Sequence, residues 1–228
     1  MNAITPNWPA PPGIMAFVTT RSVGNLARHV GEKGEADMNR RRMAEQFALP
    51  AEPLWLQQVH GDQVVVPEFD SDAAPTADAA YTRAVARPLA IMVADCLPIL
   101  LASRSGQEIA AVHAGWRGLA AGVIGAALSR FEESDVVAWL GPAIGPCHYE
   151  VDGMVRDAFD DDTGFLAGRD AAHWMMSLCD IAKLQLMQAG VSAIYGGGFC
   201  TFCDDRFYSH RRDGEINAGR IAAVIWKR

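Results

Sequence analysis

Residues 89–102 read LAIMVADCLPILLA and form the most apolar stretch of this 228-residue chain. The stretch is too short to cross a bilayer as a helix, and Asp95 and Pro98 interrupt it. Short apolar runs bounded by such breaks are typical of strands that are buried on both faces. We therefore expect two buried β-strands here, LAIMVA before Asp95-Cys96 and ILLA after Pro98.

The segments on either side of this stretch predict further strands. Residues 54–66 indicate one or two strands broken near His60-Gly61, and residues 109–113 and 136–140 are short apolar runs of the same kind. Residues 207–212 and 220–226 predict a C-terminal hairpin with Asp213-Gly214 near its turn. The polar residues 69–79 predict a surface loop.

Three segments have helical features. Apolar residues recur mostly at spacings of three and four between Leu119 and Phe131, which places them on one face of a helix. Two further helices are expected around residues 151–159 and 180–189. Because strands and helices mix without strict alternation, we predict an α+β fold with mixed sheets, in a single domain over residues 1–228.

The composition limits the classes of partner. Half of the residues are hydrophobic and the formal charge is -7, so the chain offers no electrostatic basis for binding nucleic acid or an anionic membrane. Small-molecule substrates are expected instead. The five cysteines are odd in number, and the first residues do not have the pattern of an export signal. We therefore expect reduced thiols and a cytoplasmic protein.

Three short motifs each place one metal-ligating side chain where a predicted strand ends. They are QQVHG at residues 57–61, ADCLP at 94–98 and HAGWRG at 113–118. Strand ends beside glycine or proline are where side chains converge on a cleft. His60, Cys96 and His113 suit Zn²⁺, and three protein ligands leave the fourth tetrahedral position for water, as in catalytic sites. Cu²⁺ would accept the same ligands.

The same side chains also permit chemistry without a metal. Cys96 could act as a nucleophile, with His113 as its base. The CxxC at Cys200 and Cys203 has no second CxxC to complete a structural zinc site, so we expect these two residues to be structural thiols. The pair Cys147-His148 is expected to be a turn that packs against the core.

Basic residues suggest an anion site. Arg117 follows a glycine-containing turn at a predicted helix N-terminus, where backbone N–H groups already favour anions. Arg211 and Arg212 lie on the predicted hairpin. An arginine beside a metal and a helix N-terminus suggests binding of phosphate or another oxyanion.

Five collinear motifs resemble those of the YfiH family. This family is also called the multicopper polyphenol oxidase or laccase-domain family, and its members are known as purine nucleoside phosphorylase and as peptidoglycan editing factor. The matching segments are QVHG at 58–61, ADCLP at 94–98, HAGWRG at 113–118, GPAIGPCHYEV at 141–151, and CTFCDDRFYSHRRDG at 200–214 with the later Gly219-Arg220.

The resemblance implies stacked mixed sheets flanked by helices, similar to the catalytic domain of a cytotoxic necrotising toxin in which a Cys–His pair carries out deamidation. It implies zinc-dependent phosphorolysis of adenosine, inosine and methylthioadenosine, with adenosine deamination at the same site. The alternatives are a Cys–His amidase or editing hydrolase acting on peptidoglycan precursors, and a copper polyphenol oxidase. Substrate contacts are implied for Arg21, Asn25, Arg117 and Arg211. The flanks of Asn25 depart from the family's SLNLG segment.

Overall fold

The structure is a computed structural model that describes residues 3–67 and 74–228. Residues 69–73 of the predicted surface loop lie outside the described residues.

The strands are β1 (Ala3–Ile4), β2 (Ile14–Thr19), β3 (Leu54–Trp55), β4 (Val64–Val65), β5 (Ala79–Thr82), β6 (Leu89–Val93), β7 (Leu97–Ser103), β8 (Ile109–Ala114), β9 (Val136–Leu140), β10 (Glu150–Asp152), β11 (Phe165–Ala167), β12 (His173–Met176), β13 (Ala193–Gly196) and β14 (Ile221–Lys227). The helices are α1 (Glu35–Gln46), α2 (Trp116–Ala121), α3 (Val123–Leu128), α4 (Gly153–Arg156), α5 (Leu178–Gln188) and α6 (His210–Asp213), with a short 3-10 helix at Arg21–Val23.

Two large mixed sheets form the centre of the molecule. The first sheet has the strand order β1-β2-β14-β6-β3 and the second has the order β13-β9-β7-β8-β5-β4. The chain passes from the first sheet to the second between β6 and β7, within the stretch LAIMVADCLPILLA. Ala94, Asp95 and Cys96 make this crossing, so Cys96 lies where the two sheets meet.

The alternation of side chains shows how the layers stack. On β14, Ile221, Ala223 and Ile225 face a core between the two sheets, while Val224 and Trp226 face a second core shared with Met43 of α1. The outer face of the second sheet packs against α2, α3 and α5, which contribute the apolar residues Leu119, Val123, Ile124, Ile181 and Leu186. The order of layers is therefore helix, sheet, sheet, helices, as expected for an α+β fold of stacked mixed sheets.

Two of the predicted helices differ from the structure. The predicted helix after His113 is two helices, because Gly122 takes a left-handed conformation with φ of +87° between α2 and α3. Within 151–159, only Gly153–Arg156 is helical, because Glu150–Asp152 pairs with β12 in a small third sheet, β10-β12-β11.

The predicted C-terminal hairpin is wrong. Residues 210–213 form α6, whose N-terminus is capped by the Ser209 hydroxyl accepting from the Arg212 N–H. Strand β14 pairs with β2 on one side and with β6 on the other, so neither edge is left for a hairpin partner. Among the described helices, none combines the length and the apolar character that crossing a lipid bilayer requires.

Candidate metal centre and substrate cavity

His60, Cys96 and His113 come together where the two large sheets meet. His60 lies in the loop after β3, Cys96 at the crossing from β6 to β7, and His113 near the end of β8. Antiparallel pairing places Pro98 opposite His113, which brings the start of β7 beside the end of β8. The ligand atoms of the three side chains all lie within 4.8 Å of one another. The sequence motifs thus converge as expected from their positions at strand ends.

Asp78 organises two of these three side chains. Its Oδ1 lies 2.8 Å from Nδ1 of His113, and both residues are almost fully buried. Its carboxylate also accepts hydrogen bonds from the backbone N–H groups of Val59, His60 and Gly61, at 3.2, 2.9 and 2.7 Å. A carboxylate that orients a histidine in this way is the usual support of a metal-binding imidazole. It leaves Nε2 of His113 for a metal or for Cys96.

Two residues of the site have unusual backbone conformations. His60 has φ of +62° and Asp95 has φ of +88°, a region that non-glycine residues occupy only at a cost of about 1–3 kcal/mol. The three N–H groups bound by Asp78 hold His60 in this conformation. Asp95 is held by hydrogen bonds to its carboxylate from the Thr201 hydroxyl at 2.5 Å and from the Arg211 N–H at 2.7 Å. Backbone strain of this kind is maintained at functional sites by surrounding contacts.

Gly115 allows Cys96 and His60 to approach each other. A Cβ atom at residue 115 would lie 2.9 Å from Sγ of Cys96 and 3.1 Å from Cδ2 of His60. Gly115 has an ordinary extended conformation with φ of -74°, so its small size and not its backbone freedom is required here. The glycine of the HAGWRG motif is therefore part of the site's architecture.

Cys96 and His113 each favour the charged form of the other. Burial opposes ionisation of the Cys96 thiol, but His113 and His60 together lower its pKa to about 6. Burial also opposes protonation of His113, but the Cys96 thiolate and the hydrogen bond to Asp78 raise its pKa to about 9. Burial likewise disfavours the Asp78 carboxylate, yet the hydrogen bonds from His113 and the backbone keep its pKa below the ordinary value.

The donor set fits a metal ion with an open coordination position. Two imidazoles and a thiolate are ligands that Zn²⁺ accepts, and Asp78 provides the second-shell support that such ligands usually have. The three side chains also differ in burial, because His113 is buried, Cys96 is half-buried and His60 is exposed. A fourth ligand would therefore approach from the His60 side, which faces a cavity.

This cavity has a volume of about 620 Å³, within the range of small-molecule sites. His60, Cys96 and His113 lie in its wall. The other residues that matter for its chemistry are His29, Trp116, Arg117, Tyr149, Arg211 and Arg220. The wall contains three arginines against two carboxylates, Asp95 and Glu215, so a small excess of positive charge faces the cavity, which favours an anionic substrate.

The sequence model of the family described as multi-copper polyphenol oxidoreductase laccase matches residues 18–228. The chain belongs to this family. The purine nucleoside phosphorylase of Pseudomonas aeruginosa is 44% identical, with 99% of each chain covered. Purine nucleoside phosphorylase YfiH of Escherichia coli is 40% identical, with 98% of each chain covered.

Solved structures agree with this assignment. The crystal structure of the Neisseria meningitidis protein NMB0706 has a TM-score of 0.91 and 36% identity, covering 100% of this chain and 99% of that one. YlmD of Geobacillus stearothermophilus has a TM-score of 0.90 and 31% identity, covering 100% and 97%. The resemblance to the YfiH, or laccase-domain, family and the α+β fold are thereby confirmed.

Of the four residues for which substrate contacts were implied, two reach the cavity. Arg117 and Arg211 line it, whereas Arg21 and Asn25 are not among its lining residues. The Asn25 side chain is buried and bonds to the backbone of Ala27, Val30 and Arg220, so it supports the fold of this region. Asn25 therefore supports two residues of the cavity wall, Val30 and Arg220, without lining the cavity itself. Its position does not support the predicted direct contact with substrate.

Sequence reasoning missed three residues of this site. Asp78 lies in the motif ADA, which carries no obvious chemical signal by itself. Arg220 follows Gly219 in a segment that was interpreted only as a strand start and a family motif. Tyr149 lies inside GPAIGPCHYEV, where the Cys147-His148 pair drew attention instead. Residue 78 falls within the predicted surface loop 69–79, so its buried carboxylate was not expected.

A second group of ligands lies outside the cavity wall. We call it the Cys3His cluster, and it consists of Cys147, His148, Cys200 and Cys203, whose ligand atoms lie within 4.8 Å of one another. The CxxC was expected to have no partner, and Cys147-His148 was expected to be a turn packed against the core. The turns are present, but they face each other and bring all four side chains together, so the expectation of an unaccompanied CxxC is wrong.

Proposed function

We propose that this chain is a zinc-dependent purine nucleoside phosphorylase acting on adenosine, inosine and methylthioadenosine, and that it deaminates adenosine at the same site. The main support is that one cavity contains both the His60, Cys96, His113 cluster and three arginines. The names of relatives at 40–44% identity over nearly the full chain support the same activity. The two reactions share the nucleoside and differ in the bond that is broken.

Phosphate would bind to the arginines of the cavity. Arg117 forms no hydrogen bond or ion pair with any other residue in the described part of the chain, and its guanidinium lies 4.4 Å from the Trp116 ring centroid. Arg211 is fixed by bonds from its guanidinium to the Glu150 carbonyl at 3.2 Å. A free guanidinium beside an anchored one provides two positively charged, directional donors for a tetrahedral anion.

The nucleoside would lie between this anion site and the metal centre. The half-buried Trp116 provides a ring face for the purine. Burial raises the pKa of Tyr149 well above its ordinary value, so its hydroxyl remains a proton donor at neutral pH. Such a donor can hold a ribose or base oxygen in place. In phosphorolysis the bond from ribose C1′ to the base nitrogen breaks and a bond from C1′ to a phosphate oxygen forms. The proton of the attacking phosphate passes to the departing base.

His60, Cys96 and His113 would hold the zinc ion. When bound, Zn²⁺ supplies a Lewis acid that stabilises negative charge and activates water near neutral pH. Asp78 fixes the ring of His113 and keeps Nε2 directed at the site, while its bonds to the backbone fix the position of His60. Gly115 keeps the space beside Cys96 open. These residues position the ligands so that no rearrangement is needed on substrate binding.

The ligand assignment is tested by three separate variants, His60→Ala, Cys96→Ala and His113→Ala. Each should lose the zinc ion of the cavity and both activities while keeping the circular dichroism spectrum of the parent chain. Activity is measured as adenine release from adenosine that depends on phosphate, and as ammonia release without phosphate. The zinc content of the parent chain together with full turnover in Cys96→Ala would show that the ligand set is wrong.

The phosphate site is tested with Arg117→Gln. Loss of a charge-assisted contact should raise the KM for phosphate by about 10-fold or more, with little effect on deamination. Arg130→Gln, at an exposed arginine outside the cavity lining, is the matched control. An equal loss of both activities in Arg117→Gln would contradict a specific role in binding phosphate.

A Cys–His hydrolase acting on peptidoglycan precursors is the second candidate, because Cys96, His113 and Asp78 have the arrangement of a nucleophile, a base and an orienting carboxylate. Chelation separates the candidates. The zinc enzyme should lose activity when the metal is removed and regain it when zinc is added. Full catalysis in metal-depleted protein, with a substrate-derived adduct on Cys96 by mass spectrometry, would favour the hydrolase.

A copper polyphenol oxidase is the third candidate, favoured only by the family description. Elemental analysis of protein purified without added metal, paired with oxygen consumption on a phenol, would detect it.

A further inference from the structure

The Cys3His cluster is formed by two turns that follow neighbouring strands. Strands β9 and β13 run parallel as neighbours, so their carboxyl ends lie side by side. The turn that carries Cys147 and His148 comes after β9, and the turn that carries Cys200 and Cys203 comes after β13. A bridge between Ala143 and Cys200 holds the two segments together. The ligands are thus presented by backbone that the second sheet already fixes.

The distances match a tetrahedral zinc site. Sγ of Cys147 lies 3.7 Å from Sγ of Cys200 and 3.6 Å from Sγ of Cys203, and Sγ of Cys203 lies 3.3 Å from Nδ1 of His148. Zn–S bonds of about 2.3 Å and Zn–N bonds of about 2.0 Å at tetrahedral angles require separations of about 3.8 Å between sulfurs and about 3.5 Å between sulfur and nitrogen. A disulfide would require about 2.05 Å between sulfurs, far shorter than any of these contacts.

The surroundings of the cluster support its ligands. The N–H of Gly145 donates to Sγ of Cys200 at 3.2 Å, a contact that favours the thiolate form. The imidazole of His148 is stacked on the Phe202 ring, with centroids 4.0 Å apart and planes at 14°, which fixes the orientation of the imidazole. A Cβ atom at Gly145 would lie only 3.3–3.4 Å from two of the sulfurs, so the glycine allows close approach.

We propose that the Cys3His cluster binds a second Zn²⁺ ion, in a closed structural site. Four protein ligands of this type leave no open position, unlike the three-ligand centre in the cavity. Three thiols at these distances repel one another once they ionise, and a divalent cation removes that cost.

The second ion would shape the cavity from outside. Thr201, between the two CxxC cysteines, donates to Asp95, the strained residue beside Cys96. Arg211 donates from its guanidinium to the carbonyl oxygens of His148 and Glu150. The same guanidinium lies over the ring of Tyr149, which follows His148 directly in the chain. Fixing the two turns therefore fixes the wall that carries Tyr149 and Arg211. The proposal stands on the cluster alone and does not depend on the proposed reaction.

Metal content tests the proposal in full-length protein purified under reducing conditions without added metal. We expect two zinc ions per chain in the parent, one in Cys96→Ala, one in Cys203→Ala and none in the double variant. Cys179→Ser, outside both clusters, is the control and should keep two. If the cavity centre holds no zinc, Cys96→Ala will match the parent at one ion and Cys203→Ala will have none, which supports this proposal while contradicting the proposed function.

A second variant guards against misfolding as the cause of metal loss. Cys203→His replaces one zinc ligand by another and should keep the second ion, whereas Cys203→Ala should lose it. In Co²⁺-loaded Cys96→Ala protein, thiolate-to-metal absorption from three sulfurs should be about three times as intense as in Co²⁺-loaded Cys203→Ala protein, where Cys96 is the one cysteine expected to bind the metal. Unchanged zinc content in both Cys203→Ala and a Cys200→Ala/Cys203→Ala variant, which keeps only two of the four ligands, would overturn the proposal. So would a metal-free parent with a Cys147–Cys200 or Cys147–Cys203 disulfide in its mass spectrum.

Discussion

Asp78 illustrates how one buried side chain can control a site that it does not enter. Its carboxylate is inaccessible to solvent and binds four donors, one imidazole and three backbone N–H groups. A carboxylate so placed is stable as an anion only because every lone pair has a donor. It fixes the tautomer of His113 and the left-handed backbone of His60 together. Asp78 therefore fixes the geometry of His60 and His113, two of the three candidate metal ligands, without belonging to the candidate ligand set.

At the residue scale, Asp78→Asn should weaken metal binding while the chain still folds. An amide has one acceptor oxygen, so two of the four donors lose their partner, either the N–H groups of Val59 and Gly61 or the His60 N–H together with His113. We expect zinc affinity to fall by about 10–100-fold, measured by competition with a fluorescent chelator. Asp160→Asn, at an exposed carboxylate, should leave the affinity unchanged. Equal affinities in the two variants would contradict the positioning role of Asp78.

The ionisation of Cys96 gives a second prediction at this scale. In chelated protein, the thiolate fraction rises with pH through a pKa of about 6, so iodoacetamide should label Cys96 at half its maximal rate near pH 6 and at a nearly constant rate above about pH 7. Burial raises the pKa of Cys179 to about 11, so that thiol should not react in the same range. Zinc-loaded protein should resist labelling of Cys96. A half-maximal rate near pH 8.5 would show that no ion pair forms.

The elements position the site through their ends. Strand β8 delivers His113, and α2 begins two residues beyond its end, so the intervening Gly115 lies against Cys96 and His60. The crossing between β6 and β7 delivers Cys96 at the place where the chain changes sheets. Both features arise from short connections with no spare residues. The site is consequently sensitive to small changes in these connections.

At the element scale, Gly115→Ala should lose the metal of the His60, Cys96, His113 centre without unfolding the protein. The added methyl group would meet Sγ of Cys96 at 2.9 Å, whereas the backbone at φ of -74° accepts alanine without strain. Metal content by elemental analysis and the thermal midpoint Tm are the measurements. Gly125→Ala within α3 is the matched control, because its Cβ meets nothing within 4 Å. That variant should keep its metal and gain up to about 1 kcal/mol of stability. Full metal content in Gly115→Ala would show that the two ligands can separate freely.

Elements that have a local signal in the sequence were predicted correctly. The predictions failed for features that depend on pairing with strands far away in the chain. LAIMVADCLPILLA was correctly interpreted as two buried strands, because continuous apolar runs have few alternatives. The C-terminal hairpin was wrong because β14 pairs with β2 and β6, which lie about 200 and 130 residues earlier in the chain. The convergence of His60, Cys96 and His113 was predictable from strand ends. The Cys3His cluster was missed because its two halves are distant in sequence and meet only through the parallel pairing of β9 and β13.

The four layers of the molecule depend on the core between the sheets. Ile225 on β14 is fully buried in that core, with Ile91 of β6 and Leu100 of β7 in the same apolar cluster. Both faces of β14 are covered, so a truncation there leaves a cavity that the surrounding sheets cannot easily fill. Removing buried methyl and methylene groups destabilises a protein by the lost transfer free energy plus the cost of that cavity.

At the scale of the whole molecule, Ile225→Ala should lower the free energy of unfolding by about 2–5 kcal/mol in urea titrations. The same substitution at Ile216, whose side chain is 86% exposed, should change it by less than about 0.5 kcal/mol. Folded Ile225→Ala protein should bind as much zinc as the parent, since the metal centre is built by other strands. A similar loss in both variants would contradict the stacked-sheet core.

The central place of β14 also governs the order in which the molecule can be assembled during synthesis. Strands β2 and β6 are made early, yet the first sheet stays divided until residues 221–227 have left the ribosome. Until then the facing edges of β2 and β6 offer unpaired backbone groups to any other extended chain. Contacts across such long sequence distances also form slowly. The nascent chain is therefore expected to depend on chaperones for most of its translation, and overproduced protein should aggregate less when translation is slow relative to chaperone supply.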